Sequence, residues 1–247
     1  MINLKDLYEL PTNYHEGDKI EDLQERLYLL FNETSKNNLP TIIVLEGWAG
    51  SGKGELLKAI TKRLDPRKVK VYSLLQEEYG NNKYPFLQKY WKKLPPYGHL
   101  TLFDGSWYSG VSHRKKNKLI NKKEYHTSFR SIINFEKLLL DDGYLIFKFF
   151  LNLPKNEQKD RLNKALKLGK TWKSTGSDWE QNKKYNKFNK LFENYLNTTN
   201  LSDSPWHIIP SQNSEACKIH VMETIISNIE SRLDLDSDKM LRIIKNS

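Results

Sequence analysis

The 247-residue sequence predicts an α/β fold of three layers, a central parallel sheet with helices on both faces. Strand-length apolar runs alternate with segments of helical period along the chain, which is the pattern of repeated βαβ units. The first run, Thr41-Ile-Ile-Val-Leu45, is β-branched and almost wholly apolar, as a strand buried on both faces must be. Apolar content of 38% and aromatic content of 12% suffice for a full core, and no repeat or Pro/Gly-rich linker divides the chain. A single domain spanning 1–247 is expected.

The elements follow in order. Residues Asp18 to Glu33 place Ile20, Leu23, Leu27 and Leu30 at helical spacing. After the first strand a helix is expected over Gly54 to Leu64, closed by Asp65-Pro66, and then a second strand over Lys68 to Leu75. Pro85 to Lys93 reads as a helix stopped by Leu94-Pro95-Pro96, and His99 to Phe103 as the third strand. A long helix over Lys122 to Leu140, a strand over Tyr144 to Leu151, and helices over Lys155 to Lys167 and Asp178 to Leu196 come next. A short strand over Trp206 to Ile209 and a helix over Ser214 to Leu233 close the pattern. Ligands of such sheets sit at the carboxyl ends of the strands.

Immediately after the first strand stands Gly47-Trp48-Ala49-Gly50-Ser51-Gly52-Lys53-Gly54, a G-x-x-x-x-G-K phosphate loop in its strand–loop–helix setting. Glycines let successive backbone N–H groups converge on one concave anion site, and the following helix adds its unpaired amides. Gly47, Gly50, Ser51, Gly52, Lys53 and Gly54 are therefore candidate phosphate-binding residues, with Lys53 supplying a point charge. The fold class narrows to a P-loop α/β/α architecture. Gly54 stands where most such loops carry a metal-binding Ser or Thr, so any Mg²⁺ must be held elsewhere. Asp104, delivered by the third strand, is the candidate metal ligand and, with Lys53, the candidate catalytic residue. Trp107 and Tyr108 could wall that strand end or lie in the core.

Between about residues 155 and 190 basic side chains gather, among them Arg161, Lys164, Lys167, Lys173, Lys183 and Lys184. Arg161, Lys164 and Lys167 share one helical face, and Gly169, Gly176 and Ser177 could act as hinges. The segment is expected to form a lysine-bearing lid over bound phosphate, with an exposed charged helix as the plainer alternative.

The net charge of +10 favours polyanionic partners, yet no base-reading motif points to nucleic acid. No apolar run reaches the roughly 18 residues of a membrane span, so no membrane partner is expected. A single cysteine, Cys217, excludes a disulfide framework, and the first residues lack a signal-peptide pattern; a cytoplasmic location is the expectation.

Taken together the motifs resemble the polyphosphate kinase-2 family, polyphosphate:AMP phosphotransferases among them. The matching stretches are Leu45-Glu-Gly-Trp-Ala-Gly-Ser-Gly-Lys-Gly54, Leu64-Asp-Pro-Arg67, Tyr90-Trp-Lys-Lys-Leu-Pro95, Phe103-Asp-Gly-Ser-Trp-Tyr108, Thr171-Trp-Lys173, Asp178-Trp179 and Pro205-Trp206. The resemblance covers about residues 18 to 233. It implies a Mg²⁺-dependent transferase moving a phosphoryl group between inorganic polyphosphate and a nucleotide (AMP/ADP or GMP/GDP), with a helical lid and a homo-oligomeric assembly. Three positions depart from the pattern of active members. Ala49 replaces a loop aspartate, and Gly105 and Gly110 replace two arginines. In that respect the chain looks like the N-terminal half of tandem polyphosphate:AMP phosphotransferases, which implies an alternative role as a catalytically impaired binding or regulatory homologue. Arg114, just downstream, is the candidate to restore phosphate-binding charge.

Overall fold

The computed structural model describes residues 1–9, 20–73, 84–235 and 239. A five-stranded parallel sheet runs in the order β2-β3-β1-β4-β5, formed by β1 (Thr41–Gly47), β2 (Val69–Ser73), β3 (Leu100–Asp104), β4 (Leu145–Asn152) and β5 (Trp206–Pro210). β1 sits in the middle, pairing with β3 from Thr41↔Leu100 to Leu45↔Asp104 and with β4 from Thr41↔Leu145 to Gly47↔Leu151. The chain passes from β1 to β2 and β3 on one side, then crosses to β4 on the other. That reversal opens a crevice above the ends of β1 and β3, where α/β sheets bind ligands.

Alternation along the strands feeds two cores. Ile43 and Leu45 of β1 and Leu102 of β3 join α1 (Ile20–Lys36), α2 (Lys53–Thr61) and α9 (Ser214–Arg232) on one face. Ile42, Val44 and Phe103 face the opposite core, built from α4 (Trp107–Lys116), α5 (Lys122–Asp141) and α8 (Tyr185–Thr198). The three-layer α/β fold expected from the sequence is the fold observed. β2 is an edge strand, which leaves Val71 47% exposed despite its apolar side chain.

Three expectations need correction. Residues Ser106 onward form α4, a helix absent from the reading of the sequence, because Gly110 and interspersed polar residues hide its period. Its start is fixed by a capping box in which Ser106 accepts from Tyr108 N and Ser109 Oγ accepts from Ser106 N at 3.0 Å. The single helix expected over Asp178 to Leu196 is two, α7 (Gly176–Lys183) and α8, broken at Lys184. Tyr185 leaves the register of α7 to stack on Trp48, with centroids 3.8 Å apart, and to donate to Leu153 O at 2.7 Å. The helix expected over Pro85 to Lys93 contracts to α3 (Gln88–Trp91).

The segment read as hinged has fixed ends. α6 (Lys155–Lys167) stops in a Schellman turn: Gly169 adopts φ +67°, its N–H donates to Leu166 O, and Lys170 N–H donates to Ala165 O. A short 3₁₀ turn, Thr171–Lys173, leads to Thr175, whose hydroxyl caps α7. The first two residues of the expected N-terminal helix, the last two of the expected second strand and nearly all of the stretch after Leu235 lie outside the described residues. Among the described residues no helix is long and apolar enough to cross a membrane.

Candidate functional site

The loop after β1 leaves several backbone amides without partners among the described residues. Gly50 and Gly52 adopt φ +72° and +94°, conformations that L side chains disfavour. Among the described residues, the N–H groups of Gly50, Gly52, Lys53 and Gly54 make no hydrogen bond. Four free amides at the head of α2 form a cradle with the positive end of the helix behind it. Lys53 Nζ lies back on the loop, donating to Trp48 O at 3.0 Å and Gly47 O at 3.4 Å. Ser51 is 3% exposed, and its Oγ has no partner among the described residues.

Gly47 answers to a different constraint. A Cβ there would stand 2.5 Å from Leu151 O and 2.8 Å from Leu151 N, so glycine is needed for the close approach of β1 to β4. Trp48 anchors the loop beneath: it is fully buried and donates Nε1–H to Asn152 Oδ1 at 3.2 Å. Asn152 in turn donates to Leu4 O and Leu7 O, each at 2.8 Å, drawing the N-terminal segment under the site.

Asp104 ends β3 beside Leu45 of β1. Its Oδ1 is buried and has no hydrogen-bond partner among the described residues. A buried carboxylate oxygen is costly to leave unsatisfied, and its vacant lone pairs suit a hard cation. No group of three or more His, Cys, Asp or Glu that could hold a metal occurs among the described residues. The donor set therefore fits Mg²⁺ held by one carboxylate together with phosphate oxygens and water.

Sequence reasoning missed Glu46. Its Oε1 accepts from Ser106 N at 2.9 Å, Ser106 Oγ at 2.7 Å and Ser109 N at 3.2 Å, so the carboxylate occupies the N-terminus of α4. Burial raises its pKa, while Ser106 and the charge of Lys53 pull it back down. Glu46 thus ties the end of β1 to the helix that follows Asp104. No local pattern announces this role, since it depends on the pairing of β1 with β3. Trp107 and Tyr108 do not wall the site: both are fully buried and donate to Glu136 of α5.

The lid residues divide. Arg161 directs its guanidinium at backbone carbonyls: Nη1 donates to Gly50 O at 3.1 Å and Nη2 to Ser211 O and Gln212 O at 2.7 Å each, while Nε donates to Glu157. In this arrangement it braces the loop, its guanidinium committed to carbonyls. Lys164 is exposed on α6. Lys173 is half exposed, 3.5 Å from Glu55 in the first turn of α2, and so lies near the cradle. Arg114, on α4, stacks over Phe86 at 5.7 Å with a buried Nε that has no partner among the described residues. The segment expected to form a lid is fastened to the loop, for Ala49 N–H donates to Gln181 Oε1 of α7 at 2.8 Å.

Residues 12–236 match the polyphosphate kinase 2 family along nearly the whole described fold. The chain belongs to that family. It is 28% identical over 228 residues to the polyphosphate:AMP phosphotransferase of Pseudomonas aeruginosa, covering 92% of this chain and 46% of that protein. To the ADP-polyphosphate phosphotransferase of the same organism it is 28% identical over 211 residues, covering 85% and 69%. The crystal structure of polyphosphate kinase 2 from Arthrobacter aurescens TC1 superposes with a TM-score of 0.81 at 20% identity, covering 100% of this chain and 98% of that one. The chain spans less than half the length of the polyphosphate:AMP phosphotransferases it matches, 46% for the Pseudomonas aeruginosa protein and 39% for that of Pseudomonas syringae pv. tomato. As a polyphosphate kinase 2 family member, it carries its family loop with Ala49 and its second family motif with Gly105.

Proposed function

We propose that the chain binds condensed phosphate on the 47–54 loop and transfers a phosphoryl group between inorganic polyphosphate and a nucleoside mono- or diphosphate. The observation that carries this reading is the set of free amides at Gly50, Gly52, Lys53 and Gly54, placed at the switch point of the sheet beside an unsatisfied Asp104 oxygen. The names of its relatives supply the substrates: polyphosphate with AMP for one, with ADP for another.

Phosphoryl transfer asks the protein for positioning and charge neutralisation more than for covalent chemistry. The loop amides would hold phosphate oxygens in fixed directions. Lys53, released from the carbonyls of Gly47 and Trp48, would follow the phosphate being moved. Asp104 would hold Mg²⁺, which neutralises charge on the phosphate oxygens when bound. Lys173, Lys164 and Arg114 would line the path of the polyanion, while Arg161 keeps Gly50 and the 211–212 turn in register. Closure of α6 and α7 over the loop would exclude water from the reacting phosphate.

A second reading has its own support. Ala49 offers only a methyl group and an N–H already bonded to Gln181, and Gly105 offers no guanidinium next to Asp104. Loss of one transition-state arginine costs about 10³-fold or more in related chemistry. A polyphosphate- or nucleotide-binding homologue with little turnover would show these features, as would one half of a tandem protein. The homo-oligomeric assembly and cytoplasmic location expected from the sequence belong to the same proposal.

A donor-by-acceptor assay with polyphosphate or ATP against AMP, ADP, GMP and GDP, in Mg²⁺, decides between the readings. Nucleotide formation that disappears in Lys53→Ala supports the transferase. A rate equal to that of Lys53→Ala, with pyrophosphate still bound by the parent chain, supports the binding homologue.

A further inference from the structure

α7 contacts the phosphate loop and the far end of α4 with adjacent residues. Gln181 Oε1 accepts from Ala49 N and from Gln158 Nε2, each at 2.8 Å. Gln158 is fully buried on α6; its Nε2 also reaches Ala49 O at 3.2 Å, and its Oε1 accepts from Asn182 Nδ2 at 2.9 Å. Asn182 Nδ2 donates as well to Lys155 O at 2.9 Å. The residue before Gln181 turns the other way: Glu180 pairs with Lys116 of α4 at 2.5 Å and with Lys184 at 2.9 Å. α7 therefore joins two elements, with one residue on the phosphate loop and its neighbour on Lys116 at the C-terminal end of α4.

The two grips differ in kind. Glu180 is partly exposed, with 36% of its side chain open to solvent, and salt weakens pairs that solvent reaches. The amide string is neutral and largely shielded from water, so salt leaves it intact. Within it, Gln181 is the only side chain that joins α7 to the loop backbone directly, and the position it holds is the one whose side chain is reduced to a methyl.

We infer that Gln181 is a positioning residue, the latch that registers α7 on the phosphate loop, and that lid opening requires Ala49 N–H to exchange this carbonyl for another acceptor. A latch of this kind sets how often the cradle meets solvent without touching the reacting atoms. Its consequence for turnover rests on the phosphate-transfer reading above; its existence does not.

Amide hydrogen exchange on the full chain, read residue by residue, tests it. Gln181→Ala removes the acceptor and is expected to speed exchange at Ala49 and across Trp179 to Lys183 by roughly five- to tenfold, the worth of one hydrogen bond. The core amides of β4 and α5 should stay unchanged. Gln181→Glu keeps an acceptor oxygen for Ala49 N and Gln158 Nε2, and is expected to return exchange to within about twofold of the parent on the same reasoning. Unchanged exchange at Ala49 in Gln181→Ala overturns the inference. So does an equal rise in Gln181→Glu, or a rise spread over the whole molecule. Pyrophosphate binding to the parent is titrated on the same samples: failure to bind counts against the phosphate site and leaves the latch standing, whereas normal binding with unaltered exchange removes the latch alone.

Discussion

Replacing Lys148 with methionine should destabilise the protein more than any surface change, and adding Glu136→Gln should recover much of the loss. Lys148 and Glu136 are both fully buried, Nζ to Oε2 at 2.9 Å, with Nζ also donating to Thr199 O at 2.8 Å. The other carboxylate oxygen of Glu136 accepts from Trp107 Nε1 at 3.0 Å and from the Tyr108 hydroxyl. Methionine fills the volume of the lysine stem but leaves a buried carboxylate without its counter-charge, which costs about 3–5 kcal/mol. For a chain of this size each kcal/mol lowers Tm by about 2–4 °C, so Lys148→Met should fall by roughly 6–20 °C. Glutamine at 136 keeps the acceptor for Trp107 and Tyr108 while removing the stranded charge; the double variant should regain at least about 2 kcal/mol. Urea unfolding followed by tryptophan fluorescence reads both, since Trp107 and Trp206 lie against the network, with Lys148 Nζ 5.4 Å from the Trp206 ring. A single variant within about 1 kcal/mol of the parent, or a double variant no better than the single, would refute the claim that the pair is held by mutual compensation.

Gly47→Ala should lower the unfolding midpoint by at least the 1–3 kcal/mol or so of local backbone strain, because its Cβ meets the backbone of Leu151; a midpoint matching the parent contradicts that close approach. Arg161→Lys keeps a charge but cannot bridge Gly50 O, Ser211 O and Gln212 O, so it should weaken pyrophosphate binding by about tenfold through loop disorder; calorimetric titration showing parent-like affinity would make the brace dispensable. Burial lowers the imidazole pKa of His207 and of His220 below the usual 6.5, so the unfolded chain takes up protons first as pH falls. Stability should therefore be full above about pH 7 and decline toward about pH 5, and His207→Phe, packing on Phe149, should flatten that decline in thermal melts across the range.

What the sequence disclosed was local. β1 and its loop were legible because glycine spacing, a β-branched run and a following helical period all lie within about fifteen consecutive residues, and each has a backbone reason. The bounds of α6 matched because Pro154 and Gly169 punctuate it. Residues whose work is done at a distance were not legible. Lys148 reads in the sequence as a flaw in an apolar strand; only the packing of α5 on β4 makes it the centre of a buried network. The spacing of Arg161 assigned it a face, but not that its guanidinium would bend back onto carbonyls of the loop and of the turn after β5. Glutamine and asparagine carry no periodic signal, so the string from Asn182 through Gln158 to Gln181 could be seen only once α6, α7 and the loop were brought together.

That division bears on how the site is held. Where the resemblance leads one to look for side chains with charge, at 49, 105 and 110, this chain has a methyl group and two hydrogens, and the connections pass to the backbone. Gly105 takes φ +74° and donates its N–H to Leu45 O at 3.0 Å, closing the seam between the ends of β1 and β3. Glu46 reinforces the seam through Ser106 and Ser109, and α7 holds the phosphate loop through Ala49. A cradle assembled from amides in this way presents donors that need no rotamer of their own, while Arg161 and Gln181 hold the loop that carries them. Its weakness is charge. Among the loop residues 47–54 only Lys53 carries a cation, so on the proposed reading most of the attraction for a polyanion would come from side chains on α4 and the 155–190 segment, and would fall with ionic strength.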